Sequence, residues 1–191
     1  MTYAGFWRRF GAGLLDMALF VPIGYLTLWV YSQSQLAPTI WLLPSIFIGV
    51  WFNVYLVRRY GGTPGKLLLG LRIVRLDGTP VGYKEAVLRH LPILISGALI
   101  SMALVFASWK LAEIEYMGLA LMPRHKRLEQ LAPSWYWQIL AVEQIWFWSE
   151  FLVMMTNAKR RALHDFIAGT VVILKGTAQK ALASDAPELR G

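Results

Sequence analysis

The sequence predicts an all-α, polytopic transmembrane protein of about four helices with a small structured cytoplasmic loop. Composition is the first reason: of 191 residues, 57% are hydrophobic and only 16% charged, and the mean hydropathy is +0.47. That balance belongs to a membrane protein and not to a soluble domain. The second reason is the presence of four apolar stretches, residues 11–31, 40–57, 91–109 and 135–156, each close to the roughly 20 residues a bilayer crossing requires. The third is the clustering of the positive charge beside those stretches, the pattern of a topology signal.

Residues 11–31 follow Arg8 and Arg9, and Ser32-Gln33-Ser34 behind them offers a small-x-small site, so the segment could pass for a signal peptide. Its length and the presence of Asp16 argue for a retained helix. Residues 40–57 carry Pro44 and are short, which leaves a re-entrant form open. Residues 135–156 are marked as interface-anchored by Trp135, Trp137, Trp146 and Trp148. Arg8/Arg9, the cations from Arg58 to Arg89, and Lys159 to Arg161 fall on one side if every stretch crosses. Cytoplasmic loops retain Lys and Arg, so this predicts a multi-pass inner-membrane protein with both termini cytoplasmic. The loop at 110–134 dissents, with Lys110, Arg124, Lys126 and Arg127 among three acids, and keeps a three-span alternative alive.

Between the second and third stretches lies Arg59-Tyr60-Gly61-Gly62-Thr63-Pro64-Gly65-Lys66-Leu67. It is not a phosphate-binding loop: only three residues separate Gly61 from Gly65, and Leu67 stands where a Mg²⁺-binding hydroxyl would be needed. Thr63 before Pro64 instead predicts the start of a short helix. Residues 71–76 then read as a strand entering an Asp77-Gly78 turn, and helix resumes near Tyr83. Residues 167–174 are apolar but too short to cross, so they should be interfacial or packed on this cap. The chain divides into a transmembrane domain, 1–175, and a flexible tail, 176–191.

An ionised carboxylate in hydrocarbon costs about 2.5–3.5 kcal/mol on insertion scales, so acids inside the spans demand a reason. Asp16, Asn53 and Glu150 are expected at a common depth of roughly 6–9 Å from the cytoplasmic ends of their helices. Glu143, one heptad before Glu150, continues an acidic face outward. These four are the candidates for ion binding or proton transfer, since two carboxylates at close quarters titrate apart and proton and cation then compete. His164 reads as an interfacial histidine and not as a dyad with Asp165, because sequence neighbours on a helix point apart.

Three blocks resemble the RDD family of membrane proteins: Arg9-Phe10-Gly11-Ala12-Gly13-Leu14-Leu15-Asp16, Gly62-Thr63-Pro64-Gly65-Lys66-Leu67-Leu68-Leu69-Gly70-Leu71-Arg72-Ile73-Val74, and Leu163-His164-Asp165-Phe166-Ile167-Ala168-Gly169-Thr170-Val171-Val172. The family's Arg and two Asp map by this resemblance onto Arg9, Asp16 and Asp165. The resemblance implies a cytoplasmic turn at Thr63-Pro64-Gly65-Lys66, and cation/proton exchange, the activity proposed for some members. The residues themselves allow a second reading, a charge cluster in which Arg9 sits between Asp16 and Asp165 and fixes packing.

The expected function is therefore cation/proton exchange through membrane-embedded carboxylates, or alternatively a non-catalytic accessory or assembly subunit of a larger membrane complex. The expected partners are the lipid bilayer, H⁺ and a monovalent cation, and either further copies of this chain or a partner membrane protein. No nucleic acid is expected, despite the net charge of +8, because the cations flank apolar runs. With no cysteine and three histidines far apart in sequence, neither an enzyme nor a cofactor is expected.

Overall fold

A computed structural model of the chain describes residues 2–176; of the expected tail at 176–191, only Gly176 falls within them. The protein is mostly helical, and three helices are long and apolar enough to cross a membrane: Phe6–Tyr31, Ala37–Leu68 and Tyr83–Ser108. The first is α1 (Phe6–Tyr31). The second contains α2 (Ala37–Val50), a π-helical turn (Trp51–Tyr55), α3 (Leu56–Tyr60) and α4 (Pro64–Leu68). The third is α5 (Tyr83–Ser108). Pro22, Pro44 and Pro92 lie inside these helices, as apolar helices tolerate once neighbouring groups re-satisfy the backbone. The fourth expected stretch forms α8 (Trp135–Met155), 21 residues long, which is not among the three.

Large apolar side chains stand open to the surroundings along the helices: Leu43 is 74% exposed, Phe47 70% and Ile145 70%. Exposure on this scale suits lipid and not water.

The chain forms two compact units. The first comprises Met1–Ala18, Trp51–His90 and Trp148–Gly191, the second Leu19–Val50 and Leu91–Phe147. In the first unit, β1 (Leu71–Arg75) pairs antiparallel with β2 (Thr170–Leu174), Leu71 opposite Leu174 and Arg75 opposite Thr170. This sheet departs from the all-α expectation. The 170–173 run, Thr-Val-Val-Ile, is β-branched throughout and satisfies its backbone on β1, where an interfacial segment would have to leave it to water. On its other edge β2 takes the N-terminal segment, with Ala4 donating to the Val172 carbonyl at 2.9 Å and Leu174 to that of Thr2 at 3.1 Å. Gly61, at φ 82°, ends α3 in the left-handed conformation and turns the chain toward α4.

In the second unit the charged loop is structured as α6 (Glu113–Gly118) and α7 (Leu121–Leu131). Ala103, Leu104 and Ala107 of α5 pack there with Leu111, Tyr116, Leu128 and Tyr136 in one buried cluster. Arg124 of α7 is buried, stacks over the Tyr116 ring at 4.7 Å and donates to the carbonyls of Tyr31 and Leu119. The Tyr116 hydroxyl donates to the same Tyr31 carbonyl at 2.9 Å. Two donors thus satisfy the end of α1, whose last carbonyls have no intrahelical partner.

Candidate functional site

The first unit holds a buried ionic network built where α1, the start of α5, the end of α8 and α9 (Leu163–Ile167) meet β2. Asp165, fully buried, is its centre. As the third residue of α9 its carboxylate folds back to accept the Ala162 N–H at 3.0 Å, satisfying a donor the helix start leaves open. The same carboxylate accepts Arg9 Nη1 at 2.8 Å, Arg89 Nη1 at contact distance and the Thr170 hydroxyl at 3.2 Å. Arg161 closes the back of the site through the Asp165 and Thr170 carbonyls. Burial alone would raise the Asp165 pKa, but Arg89 and Arg9 outweigh it and hold the group well below the ordinary carboxylate range.

Arg89 is the hub. Besides Asp165 it reaches the Thr170 hydroxyl and lies 2.7 Å from His164 Nε2. A guanidinium can only donate, so Nε2 accepts, and the imidazole carries its proton on Nδ1, which faces Glu150 Oε2. Burial, then Arg89, pushes the His164 pKa below its ordinary value, in keeping with a neutral ring. Glu150 also accepts the His164 backbone N–H at 3.1 Å. His164 is thus no free interfacial histidine: it links a carboxylate of α8 to the guanidinium of α5. Arg9 and Asp165 meet directly, 2.8 Å apart.

Asp16 finds other partners. Its Oδ2 accepts the Thr63 hydroxyl at 2.6 Å, its Oδ1 accepts the Gly65 N–H at 2.7 Å, and Lys66 Nζ lies 3.7 Å away. Thr63 stands at the head of α4 as expected but does not cap it with its own side chain. The cap comes from α1, whose carboxylate supplies the acceptor that the N-terminal amides require. Gly65 is what allows the approach, for a Cβ there would lie 2.3 Å from the Ala12 carbonyl oxygen and 2.8 Å from Asp16 Oδ1.

Asn53 and Glu143 are the other two candidates. Asn53 falls within the π-helical turn of the first unit. Glu143, half-buried in the second unit, accepts the Ser96 hydroxyl of α5 at 3.2 Å.

Sequence reasoning counted Arg89 only as a topology charge and missed Thr63, Gly65 and Lys66 as partners of Asp16. One signal pointed to Arg89: it directly precedes His90 and the apolar run from Leu91, too deep in a helix for a loop cation. Among the described residues no group of three or more His, Asp or Glu side chains is arranged to hold a metal ion.

Long apolar helices tied by a buried ionic network define a helical membrane protein. The chain belongs to the RDD family, whose model matches residues 3–169. It is similar to the uncharacterized protein YckC of Bacillus subtilis (strain 168), with 25% identity over 188 residues that cover 95% of this chain and 91% of YckC. No solved structure matches it.

Proposed function

We propose that the protein is an inner-membrane protein of four crossings with both termini cytoplasmic, and that it exchanges a proton for a small monovalent cation at Glu143. One observation carries this reading. The partner given to Glu143 is a neutral hydroxyl, Ser96 Oγ, whereas Asp16 and Asp165 face Lys66 and two arginines, and Glu150 is bound to the His164 backbone N–H and faces its ring. A carboxylate whose oxygens are already taken by cations or N–H donors has little room for a mobile cation. A carboxylate in a bilayer whose neighbour is a hydroxyl is driven to take up either a proton or a cation, and alternation between the two is exchange. Ser96 can serve both states, since a hydroxyl donates to the ionised acid and accepts from the protonated one.

On this reading Asp16, Glu150, Asp165 and Arg9 hold the fold, and Asn53 offers only a neutral amide. The chain is a transporter and not an enzyme. Four short crossings leave little room for alternating access, so it works as a homo-oligomer or with a partner membrane protein. The full engagement of the carboxylates in the first unit favours a second reading, an accessory or assembly subunit whose ionic network is purely structural.

Proteoliposomes separate the two. Wild-type vesicles under an imposed pH gradient should move protons only when Na⁺ or K⁺ is present, and Glu143→Gln should abolish this while Glu115→Gln, in an exposed pair with Arg127, leaves it intact. Flux that persists in Glu143→Gln contradicts the assignment. No flux with any monovalent cation, at a density where a known exchanger responds, favours the accessory reading.

A further inference from the structure

A groove of about 710 Å³ lies in the first unit between the first turn of α1 and the 157–160 turn that follows α8. Its walls are of two kinds. Phe6, Trp7, Met154 and Met155 make an apolar side on which Trp7 is 79% exposed and Met155 72%. Arg8 and Arg160, both exposed, make a cationic side. Among the described residues neither arginine forms an ion pair, in contrast to Arg9, Arg75, Arg89 and Arg127, each of which holds a carboxylate.

The cationic side is built by the fold. Asn157 shapes the turn: its Oδ1 accepts the Arg161 N–H at 2.7 Å, its Nδ2 donates to the Val153 and Arg161 carbonyls, and its own carbonyl accepts the Arg160 N–H at 2.9 Å. The turn forces Arg160 to φ 49°, the left-handed region that favours glycine and where every other described residue at positive φ is glycine. The chain thus carries a strained arginine where the backbone would prefer no side chain. Opposite it stands Gly5, which has none: a Cβ there would lie 2.7 Å from Arg160 Nη1. The guanidinium is laid over bare backbone at the mouth of the groove.

We propose that this groove seats an anionic phospholipid, with the headgroup phosphate on Arg8 and Arg160 and the upper acyl chain along Phe6, Trp7 and Met155. Two guanidinium groups that hold no carboxylate among the described residues complement a phosphate anion, which Arg recognises with several donors at once. An exposed tryptophan beside a half-buried phenylalanine at the start of a helix able to cross the bilayer is placed at headgroup level, and basic pockets at that level bind anionic headgroups. A soluble anion would use the arginines but would leave the apolar wall open.

The test uses the full-length protein purified in a neutral detergent. Phosphatidylglycerol, phosphatidylcholine and inorganic phosphate are added separately, with lipid retention followed by native mass spectrometry and stability by thermal unfolding. Phosphatidylglycerol should be retained at least about tenfold more tightly than phosphatidylcholine and should raise the melting temperature, while inorganic phosphate should do neither. The preference should fall about tenfold in Arg160→Gly, a change whose backbone already suits the turn and which should therefore unfold no earlier than wild type without lipid. Arg8→Gln gives an independent reading of the same loss. Equal retention of the two lipids, displacement of phosphatidylglycerol by inorganic phosphate alone, or an undiminished preference in both variants overturns the proposal.

Discussion

The two arginines on Asp165 are not equivalent. Among the described residues the Arg9 side chain makes one hydrogen bond, to Asp165 Oδ2, whereas that of Arg89 joins Asp165, the Thr170 hydroxyl and the His164 ring. Removing one partner of a buried ion pair costs about 3–5 kcal/mol, because the remaining charge is left uncompensated. Both Arg89→Ala and Arg9→Ala should therefore destabilise the protein in detergent, and Arg89→Ala should do so more, since it also removes the donor to the Thr170 hydroxyl and to an imidazole nitrogen. Thermal unfolding of the two variants decides the point. A larger loss in Arg9→Ala would mean that Asp165 depends on α1 more than on α5. The Arg9 to Asp165 contact was legible through the three family-like blocks, which contain both residues. Arg89 was not, because its contacts to Thr170, Asp165 and His164 span 75 to 81 residues of sequence and leave no trace in local periodicity.

Among the elements, the union of α1 and α4 rests on the absence of a side chain. The Ala12 carbonyl and the Asp16 carboxylate occupy the space where a Cβ of residue 65 would be. Gly65→Ala cannot be absorbed by a rotamer change, because the nearer contact is backbone. The substitution should destabilise by about 1–3 kcal/mol, the usual cost of overpacking, despite the better helix propensity of alanine. Gly13→Ala, in open space on α1, should have little effect, and similar melting temperatures for the two would contradict the close approach. The sequence showed that a short helix begins at Pro64, since Thr-Pro is a local signal. That its cap comes from Asp16, 49 residues away, was beyond a local reading. β1 was likewise visible beside its Asp77-Gly78 turn. Its partner β2 was left by length as either interfacial or packed on the cap, because apolarity alone cannot distinguish a buried strand from an interfacial segment.

At the scale of the whole molecule, the positive-inside reading was weakest at the loop holding α6 and α7. The structure supplies a physical reason: Arg124 is buried on carbonyls, and Arg127 is paired with Glu115 at 3.2 Å. Cations consumed by structure are not free to act as topology signals, so counting them exaggerates the dissent. Composition made the membrane class legible, and three helices bear it out; the number of crossings turns on α8, which carries Glu143 and Glu150. Glu143 can exchange ions across a bilayer only if α8 crosses one. The most direct measurement is membrane-impermeant thiol labelling in intact cells, using single cysteines placed in this cysteine-free chain at Gln35, Gln130 and Ala158. Four crossings predict that Gln35 and Gln130 label from outside and that a cysteine at Ala158, beyond α8, labels only after the membrane is opened. Labelling of both Gln130 and Ala158 from outside would contradict the account, leaving α8 on the outer side and Glu143 without a membrane to span.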